Sequence, residues 1–510
     1  MDPLWKNRLT FALAAFLAVG IGWLLADDGP AVPGLVVAAL AILAVVHWRP
    51  EPLIALVLGT LIFGYFVGNR GFAQLSPTQN LPLLPGEIGL GVSLLTLVLT
   101  GAFRCRPPVR IDLLGILILA WLALGLARLV PDVRQYGFLA VRDFAMVYYA
   151  LFFFVAQEAA RDPAGRRFVH GSVLAGAALL LPLGTMFYAY PDFFLGSFTV
   201  HGVPLIYYKG DLLGTFMAVG ALTFFLWHEA RPRWWAAALS VALMADLITI
   251  TNRASVLGLV AATALLATAG RWRLARLQLA AGTVGVTALA LVAFASHQSW
   301  RTTPLHDVYD GVISLVDVNG EYQYEGDLTA SKGDNNRFRS VWWRTVFDET
   351  LQGGPWLGLG FGYDLTSTFM RNYQPESDEE YFVRSPHNIF LTVFARQGLA
   401  GLAVFAAIVA TALRRTWRSA RNSDWRTDAW PWCAACAVLV SASFGVVLEG
   451  PMGAVVFWTL LGLGNGVALG RRPPGASGAQ ANPAPSGVSR VAPEPADGLP
   501  EPFAGPSRLP

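Results

Sequence analysis

The sequence predicts an all-α polytopic membrane protein with about 12–14 transmembrane helices. Apolar blocks of about 20 residues, the length that crosses a bilayer as a helix, recur along most of the chain. The composition agrees, because 54% of the 510 residues are hydrophobic and only 14% are charged. Globular domains carry about 25% charged residues. A soluble multidomain protein would expose many of these apolar runs to water, so the hydropathy pattern disfavours that class.

Fourteen stretches have the length and apolar character of a membrane span. They lie near residues 9–26, 31–47, 52–69, 83–103, 111–129, 140–158, 168–189, 210–228, 234–250, 253–270, 276–296, 386–413, 430–448 and 452–470. Under this count the basic clusters fall in alternate connections, at residues 6–8, 49, 104–110, 161–167, 231–233, 271–276, 414–426 and 471–472. Because Lys and Arg concentrate on the cytoplasmic side, both termini are expected in the cytoplasm.

Four regions follow from this pattern. They are an N-terminal bundle of about eleven spans (1–296), a large external loop domain between the eleventh and twelfth spans (297–385), the C-terminal spans (386–470) and a tail (471–510). The tail is rich in Pro, Gly, Ala and Ser, a composition that predicts disorder. The net charge of +3 is too small to argue for a nucleic-acid partner.

One motif stands where the polar external segment meets an apolar helix. Pro386 suits the first turn of a helix, and His387 and Asn388 follow it at the membrane boundary. A titratable imidazole is an unusual choice for a plain anchor, and interfacial ionisable groups are candidates for function. The alternative is a structural histidine at the helix entrance that only forms hydrogen bonds with the loop.

Three other helices begin with ionisable groups on the same side of the membrane. Arg253 starts one span, Lys209 precedes a second and Arg142 starts a third. Each has a local alternative: Arg253 snorkelling to the interface, Lys209 pairing with Asp211, and Arg142 pairing with Asp143. If these groups share one site with His387, that site is cationic and faces outward.

Two further arginines flank the histidine. Arg384 is either a solvated flank or a contact to an anionic ligand. Arg396 lies inside the apolar helix and needs a partner, for which the sequence offers a carboxylate such as Glu87 or Asp246, or water.

Two other patterns have structural interpretations. The segment 358–362 carries three alternating glycines, which predict a tight turn near the membrane rather than a phosphate loop. In Cys433-x-x-Cys436 we expect two small apolar residues rather than a redox or metal pair.

A histidine beside several cations at a membrane surface fits one chemistry well. Arginine donates paired hydrogen bonds to phosphate, and a lipid-linked diphosphate lies at this depth. The cations would stabilise the diphosphate as a leaving group, while a neutral histidine takes a proton from an attacking hydroxyl. No spacing of His with carboxylates suggests a metal ligand set, so neither a metal nor a cofactor is expected. The prediction is glycosyl transfer.

The same residues resemble a known family. His387-Asn388, nine residues, Gly398, two residues and Gly401 resemble the signature of the O-antigen ligase and O-antigen polymerase superfamily. The segments 251–255, 337–343 and 355–362 are also similar to family elements and stand in the family's order. The resemblance covers residues 200–470 and implies about a dozen spans. It implies His387 as the catalytic base and Arg253 as a diphosphate-binding group. Lys209 stands where the family has a second Arg.

The resemblance implies a metal-independent glycosyltransferase of the bacterial inner membrane. Its donor would be a glycan on undecaprenyl diphosphate, its acceptor a lipid or glycan hydroxyl, and its active site would face the periplasm. O-antigen ligation is the first expectation. A polymerase of O-antigen or exopolysaccharide repeat units and glycan transfer to protein remain alternatives within the family. A flippase for lipid-linked glycans is the alternative of another class.

Overall fold

The computed structural model describes most of the chain between residues 50 and 470. The described residues are 50–76, 83–103, 109–200, 202–250, 252–295, 306, 309–310, 313, 317, 321–322, 327–373, 384–422 and 424–470. The predicted spans 9–26 and 31–47, the predicted tail 471–510 and much of the predicted external loop domain lie outside these residues. The domain boundaries therefore stay predictions.

The described chain is almost entirely helical. Its first half contains α1 (Pro50–Gly68), α2 (Arg70–Gln74), α3 (Pro85–Phe103), α4 (Leu113–Tyr136), α5 (Phe138–Asp143), α6 (Ala145–Tyr148), α7 (Phe152–Ala159) and α8 (Pro163–Ala189). Its second half contains α9 (Gly210–Ala230), α10 (Trp234–Thr249), α11 (Arg253–Thr268), α12 (Trp272–Ala295), α13 (Asp327–Gly353), α14 (Ser367–Tyr373), α15 (Ile389–Arg421), α16 (Trp425–Asp428), α17 (Trp430–Ala442) and α18 (Pro451–Gly470).

Strand structure in the described residues is confined to one small hairpin. Strands β1 (Thr199–Val200) and β2 (Val203–Pro204) pair antiparallel, with Val200 opposite Val203. The turn between them contains Gly202 at φ 77°, a left-handed conformation that glycine adopts readily. The hairpin leads directly into Lys209 and α9, so it sets where that helix begins.

The all-α polytopic prediction is confirmed. Within the described residues, seven helical segments are long and apolar enough to span a membrane, and four shorter apolar helices accompany them. The seven are Pro85–Ala102, Leu113–Tyr136, Phe138–Ala159, Pro163–Ala189, Gly210–Ala230, Ile389–Arg421 and Pro451–Leu469; the four are Leu53–Gly68, Trp234–Ile248, Arg253–Thr268 and Trp430–Ala442. Every predicted span from residue 52 onward contains a helix of this structure. The chain is a multi-pass membrane protein.

Small residues let the helices pack closely, as membrane helices must without a hydrophobic driving force between them. A Cβ on Gly462 of α18 would lie 2.2 Å from the carbonyl oxygen of Phe153. A Cβ on Gly258 of α11 would lie 2.6 Å from the carbonyl oxygen of Ala437 in α17. Backbone therefore meets backbone at both crossings, and α11 and α17 are fixed against each other near the start of α11.

The polar helix α13 packs on the membrane helices through aromatic side chains. Trp342 is buried, stacks on Phe369 of α14 and donates its indole N–H to the carbonyl of Leu365 at 2.8 Å. This second apolar cluster also includes Ala395 of α15. The polar helix α13 is thereby attached to the helix that follows His387.

Candidate active site

The beginnings of two long helices meet at the predicted site. The side-chain amide of Asn252, which caps α11, donates to the carbonyl of Gly210 at the start of α9 at 2.9 Å. A Cβ on Gly214 would lie only 2.9 Å from the Cβ of Asn252. A helix N-terminus carries a partial positive charge, so the two adjacent ends favour a bound anion.

The beginnings of α15 and α18 join through a buried carboxylate. Glu449, two residues before α18, accepts hydrogen bonds from the hydroxyls of Ser385 at 2.8 Å and Thr392 at 3.2 Å. The preceding loop also reaches α9, because a Cβ on Gly445 would lie 3.2 Å from a carboxylate oxygen of Asp211. Four helix N-termini therefore surround one region.

The geometry of His387 is set by the residues on both sides of it. Its backbone φ is 57°, which is uncommon for a residue other than glycine. Trp343 of α13 donates its indole N–H to the carbonyl of Pro386, and the ring of Trp342 lies edge-on to the imidazole with centroids 5.6 Å apart. Helix α13 thus holds the loop in this left-handed conformation, the kind of local strain that clusters at functional sites.

Asn388 has a structural role that the sequence pattern did not specify. Its side-chain oxygen accepts from the backbone N–H groups of Phe390 at 3.0 Å and Leu391 at 3.2 Å. It is therefore the N-cap of α15. The two motif residues thus have different roles: Asn388 caps the helix, and His387 places its imidazole just before the helix begins.

The imidazole of His387 is held neutral by its surroundings. Burial lowers its pKa to about 4, and the charges of Arg339 and Lys209 act in the same direction, against a smaller opposite effect of Asp211. Among the described residues, its Nδ1 atom has no hydrogen-bond partner although it is buried. At neutral pH one ring nitrogen therefore has a lone pair available to accept a proton.

Lys209 lies beside this histidine and also forms the ion pair that was its local alternative. Its ammonium is 3.1 Å from a carboxylate oxygen of Asp211, and the two side chains are 31% and 20% exposed. Its backbone N–H donates to the side-chain oxygen of Asn69, which is fully buried. Asn69 therefore fixes the backbone at Lys209, while the side chains of Lys209 and Asp211 stay partly exposed.

Arg253 is joined by a second arginine that sequence reasoning missed. Arg253 donates to the side-chain oxygen of Asn336 on α13 at 2.9 Å. Burial lowers the pKa of Arg339, one turn further along α13, and the nearby charge of Arg253 lowers it further, while Asp211 opposes both. A helical segment with three arginines at 337, 339 and 344 was the available signal, but hydropathy alone does not show which one faces inward.

Glu449 was also missed as a site residue. Burial raises the pKa of its carboxyl group, opposed by the hydrogen bonds from Ser385 and Thr392 and by the charge of Lys209. In the described part of the chain, its second carboxylate oxygen is buried without a hydrogen-bond partner. A single acidic residue between apolar blocks, just before Gly450-Pro451, was the signal in the sequence.

The two motif glycines shape the helix rather than contact the cluster. Gly398 interrupts α15 with φ 64°, and a Cβ there would lie 2.3 Å from the backbone of Trp356. At this break the loop after α13 docks on the helix: Ala400 N–H donates to the carbonyl of Trp356 and Leu359 N–H to that of Ala395. A Cβ on Gly401 would collide with the side chain of Gln397.

The buried Arg396 has a different partner from the carboxylates offered by the sequence. It pairs with Asp143 at 2.9 Å, and its guanidinium also donates to the carbonyls of Gly360 and Tyr363. Asp246 is not the residue that holds it. Glu87 accepts instead from the hydroxyls of Tyr148 and Tyr149. The expected carboxylate partner is thus present, but it is Asp143 and neither of the two examples, since a partner 253 positions earlier in the chain cannot be read from local spacing.

Arg384 belongs to the same arrangement and is not simply a solvated flank. It donates to both carboxylate oxygens of Asp143, at 3.3 and 3.1 Å, and to the carbonyl of Gly362 at 2.8 Å. The backbone N–H of Gly362 also donates to Asp143. Arg384, Arg396 and Asp143 thus form a clamp, hereafter the Asp143 clamp, that fixes the glycine-rich turn against the bundle. The predicted tight turn is present, with Gly358, Gly360 and Gly362 all at positive φ.

Arg142 is not joined to the cluster by any hydrogen bond or ion pair in the described ranges. Its side chain is exposed at the end of α5, while the adjacent Asp143 faces inward to the clamp. The local Arg142–Asp143 pairing offered as an alternative is thus replaced by Asp143 pairing with Arg384 and Arg396. A role of Arg142 in donor binding stays a prediction.

The site therefore combines one neutral histidine with three cations. Lys209 and Arg339 lie near His387, Arg253 lies beside Arg339, and Asp211 and Glu449 are the acidic groups. Across the described residues, no group of three or more His, Cys, Asp or Glu side chains is placed to hold a metal ion. The arrangement can bind a polyanion and accept a proton at the same place.

Comparison with known proteins agrees with the sequence resemblance. Residues 238–406 match the family profile Wzy_C, described as O-antigen ligase. The match includes Arg253, Arg339, His387, Gly398 and Gly401, and ends before Glu449. A search of curated proteins gives no match. The resemblance is confirmed: residues 238–406 of this membrane protein match the O-antigen ligase family model, which is consistent with the O-antigen ligase and polymerase superfamily.

Proposed function

We propose that this protein transfers a glycan from undecaprenyl diphosphate to an acceptor hydroxyl on the periplasmic side of the inner membrane, as an O-antigen ligase does. The observation that carries the proposal is the convergence of His387 with Lys209, Arg253 and Arg339 at the beginnings of four helices. The family match supports a ligase-like or polymerase-like transferase. The donor, the acceptor and the outward orientation are our proposal.

The cations would hold the donor by its diphosphate. Arg253 and Arg339 supply planar guanidinium groups that suit two phosphate oxygens at once, and Lys209 supplies a point charge. The helix ends add their partial positive charges. The mutual repulsion of Arg253 and Arg339, visible in the lowered pKa of Arg339, is relieved when an anion binds between them. Arg142 would contribute only to a part of the donor outside this cluster.

His387 would act as the base. It takes the proton of the acceptor hydroxyl while the hydroxyl oxygen forms a bond to the anomeric carbon of the sugar. The bond from that carbon to the phosphate oxygen breaks, and the diphosphate leaves with the electron pair. The cations stabilise the charge that develops on it. No step needs a metal, since the charge is carried by protein side chains.

The low pKa of His387 is then a property of the enzyme without its donor. Burial lowers that pKa most, and the charges of Arg339 and Lys209 lower it further. A bound diphosphate offsets the charges of these two cations, so the pKa of His387 is higher in the complex than in the free enzyme. The base becomes stronger when the substrate that needs it is present.

Glu449 would be a positioning residue. Its carboxylate holds the hydroxyls of Ser385 and Thr392, which lie on either side of the His387 loop. It therefore fixes the loop from the side opposite to Trp342 and Trp343 of α13. Its charge also faces Lys209, which restrains that cation.

The test is glycan transfer by the purified full chain in the presence of EDTA. The donor is lipid-diphosphate glycan from the native host, and the variants are His387→Ala, Arg253→Ala and, as an exposed control, Arg344→Ala. We expect His387→Ala to lower the transfer rate about 10²–10⁴-fold. Arg253→Ala should also lose most activity, and Arg344→Ala should keep it.

Three outcomes would change the proposal. Full activity of folded His387→Ala and Arg253→Ala would show that the cluster is structural. Loss of wild-type activity in EDTA that added Mg²⁺ restores would remove the metal-independent mechanism. Translocation of the lipid without transfer would favour a flippase. Product size distinguishes the two family activities, because ligation gives one added chain and polymerisation gives a ladder.

A further inference from the structure

A groove of about 740 Å³ lies apart from the His387 cluster, at the other end of α13. It is bounded by the end of α4, by the end of α13 and by the loop that docks on the break in α15. Its lining includes Gln135, Tyr136, Glu349, Gln352, Trp356 and Tyr363. The volume is in the range of about 300–1,000 Å³ that is usual for ligand pockets.

The chemistry of this lining is that of a carbohydrate site. Trp356 is 71% exposed, and Tyr136 and Tyr363 form an edge-to-face pair in the wall. Aromatic faces bind the apolar C–H face of a sugar ring, and side-chain amides both donate to and accept from neighbouring hydroxyls. The exposed Gln135 and Gln352 supply two such amides. Together they match a neutral, polyhydroxylated ligand.

One carboxylate in the groove is oriented by the protein and keeps an unused acceptor. One oxygen of Glu349 accepts from the hydroxyl of Tyr363 at 2.6 Å and from Thr368 at 3.0 Å. Its other oxygen is buried and has no hydrogen-bond partner among the described residues. The cation of the groove, Arg128, is already paired with Asp132 at 3.3 Å. The groove therefore lacks the available cations that a phosphate ligand needs.

The groove lies beside the long helix that follows His387. Ala400 N–H donates to the carbonyl of Trp356, so the loop that forms one wall is held on α15. Trp356 is 71% exposed and Leu357, next to it, is 52% exposed. The wall therefore presents an aromatic ring to a ligand while its backbone stays fixed.

We infer that this groove binds sugars of the lipid-anchored acceptor other than the one that reacts. The inference rests on the proposed transferase, for which it names the acceptor's binding site. Arg339 and Glu349 are ten residues apart on α13, so the groove is roughly 15 Å from the cationic cluster. The sugars in the groove are therefore not the ones that react; they hold the acceptor while its outer sugar reaches His387.

The test measures binding without donor, so that it does not depend on transfer. The full chain in nanodiscs is titrated with a lipid A–core glycolipid lacking O-antigen, with the free core oligosaccharide, and with phosphatidylglycerol vesicles. The variants are Trp356→Ala and Gln352→Ala. The matched controls are Trp234→Ala, which removes another highly exposed tryptophan, and Asp348→Asn on the exposed face of α13.

We expect Trp356→Ala to raise the Kd for the glycolipid and for the free oligosaccharide at least about tenfold, as loss of an aromatic anchor does. Trp234→Ala, Asp348→Asn and His387→Ala should leave both Kd values within about twofold. Unchanged binding by Trp356→Ala and Gln352→Ala would overturn the inference. So would binding of phosphatidylglycerol that Trp356→Ala abolishes equally, because the groove would then be a bilayer contact.

The two hypotheses fail differently. If the wild type binds glycolipid through Trp356 but transfers nothing, the proposed function fails and the groove stands. If transfer depends on His387 while Trp356→Ala keeps the wild-type Kd and acceptor KM, the groove assignment fails and the proposed function stands.

Discussion

Two regions of this protein use the same charged residue types in opposite ways. In the Asp143 clamp, Arg384 and Arg396 pair with one carboxylate and donate hydrogen bonds to backbone carbonyls of the glycine-rich turn. In the His387 cluster, the cations lie near one another, and their charges lower the pKa of His387 and of Arg339. The clamp directs two arginines to one carboxylate and to backbone carbonyls, whereas the cluster places three cations, Lys209, Arg253 and Arg339, near two acidic groups, Asp211 and Glu449, so a positive charge remains for a bound anion.

The difference teaches how to separate structural from functional cations in a membrane protein. An arginine that is buried or partly buried is ambiguous by itself, since Arg396 in the clamp and Arg339 in the cluster are both withdrawn from solvent. The observation that separates the two cases is which groups accept hydrogen bonds from the guanidinium of the arginine. Arg396, only 2% exposed, directs them to Asp143 and the turn. Substitutions in the two regions should therefore affect different properties.

The largest effect is expected in the clamp. Arg396→Leu removes the buried donor to Asp143 and to the carbonyls of Gly360 and Tyr363, while Arg384 still pairs with Asp143, so the protein should be destabilised by about 1–3 kcal/mol. The free energy of unfolding in mixed detergent micelles measures this loss. Arg414→Leu, on an exposed position of the same helix, is the control. Equal stability of Arg396→Leu and wild type would mean that the clamp does not hold the turn, and the comparison between the two regions would collapse.

The next effect is expected in the cluster and should appear in catalysis. Arg339→Gln removes a cation that faces both Arg253 and His387, so the transfer rate should fall about 10–100-fold, as for loss of a hydrogen bond to a charged group. Stability should change little. Arg337→Gln is the matched control, because Arg337 is exposed on the same helix. Equal losses in the two variants would indicate a general charge effect and not a donor contact.

More of the His387 cluster than of the Asp143 clamp could be predicted from the sequence, and the reason is physical. Hydropathy and basic residues act locally, so the spans from residue 52 onward and the helix starts at Lys209, Arg253 and His387 were predictable. The resemblance then pointed to His387 and Arg253. The pairing of Arg396 with Asp143 is a tertiary contact between distant segments, and no local pattern encodes it.

The missed site residues have a similar cause. Arg339 lies on a polar helix whose arginines look alike in sequence, and only the docking of α13 through Trp342 and Trp343 shows which one faces His387. Glu449 looks like one acidic residue in an apolar region until Ser385 and Thr392 are seen to donate to it. The glycines of the motif were noticed, but their reason, a helix break that receives a loop, required the structure.

A smaller effect is expected in the pH dependence of transfer. The acid limb of kcat/KM reports the free enzyme, in which the pKa of His387 is about 4, and the acid limb of kcat reports the donor complex. Burial persists in the complex, but the diphosphate offsets the charges of Arg339 and Lys209, so the limb of kcat should lie at higher pH than the limb of kcat/KM. Each rate falls as pH drops below its pKa, since protonated His387 cannot accept a proton. Coincident limbs would show that the donor does not lie among these cations.

The smallest effect concerns the residue that joins the catalytic loop to its helix. Asn388→Ala removes the acceptor for the N–H groups of Phe390 and Leu391, so it should lower the free energy of unfolding by about 1 kcal/mol. Asn388→Ser keeps a capping oxygen and should retain most of the stability and activity. Because the cap also fixes the backbone of His387 at φ 57°, Asn388→Ala should lower kcat more than it raises the donor KM. If Ala and Ser behave alike in the unfolding titration and in kcat, Asn388 does not act as a cap and must serve the His387 cluster in another way.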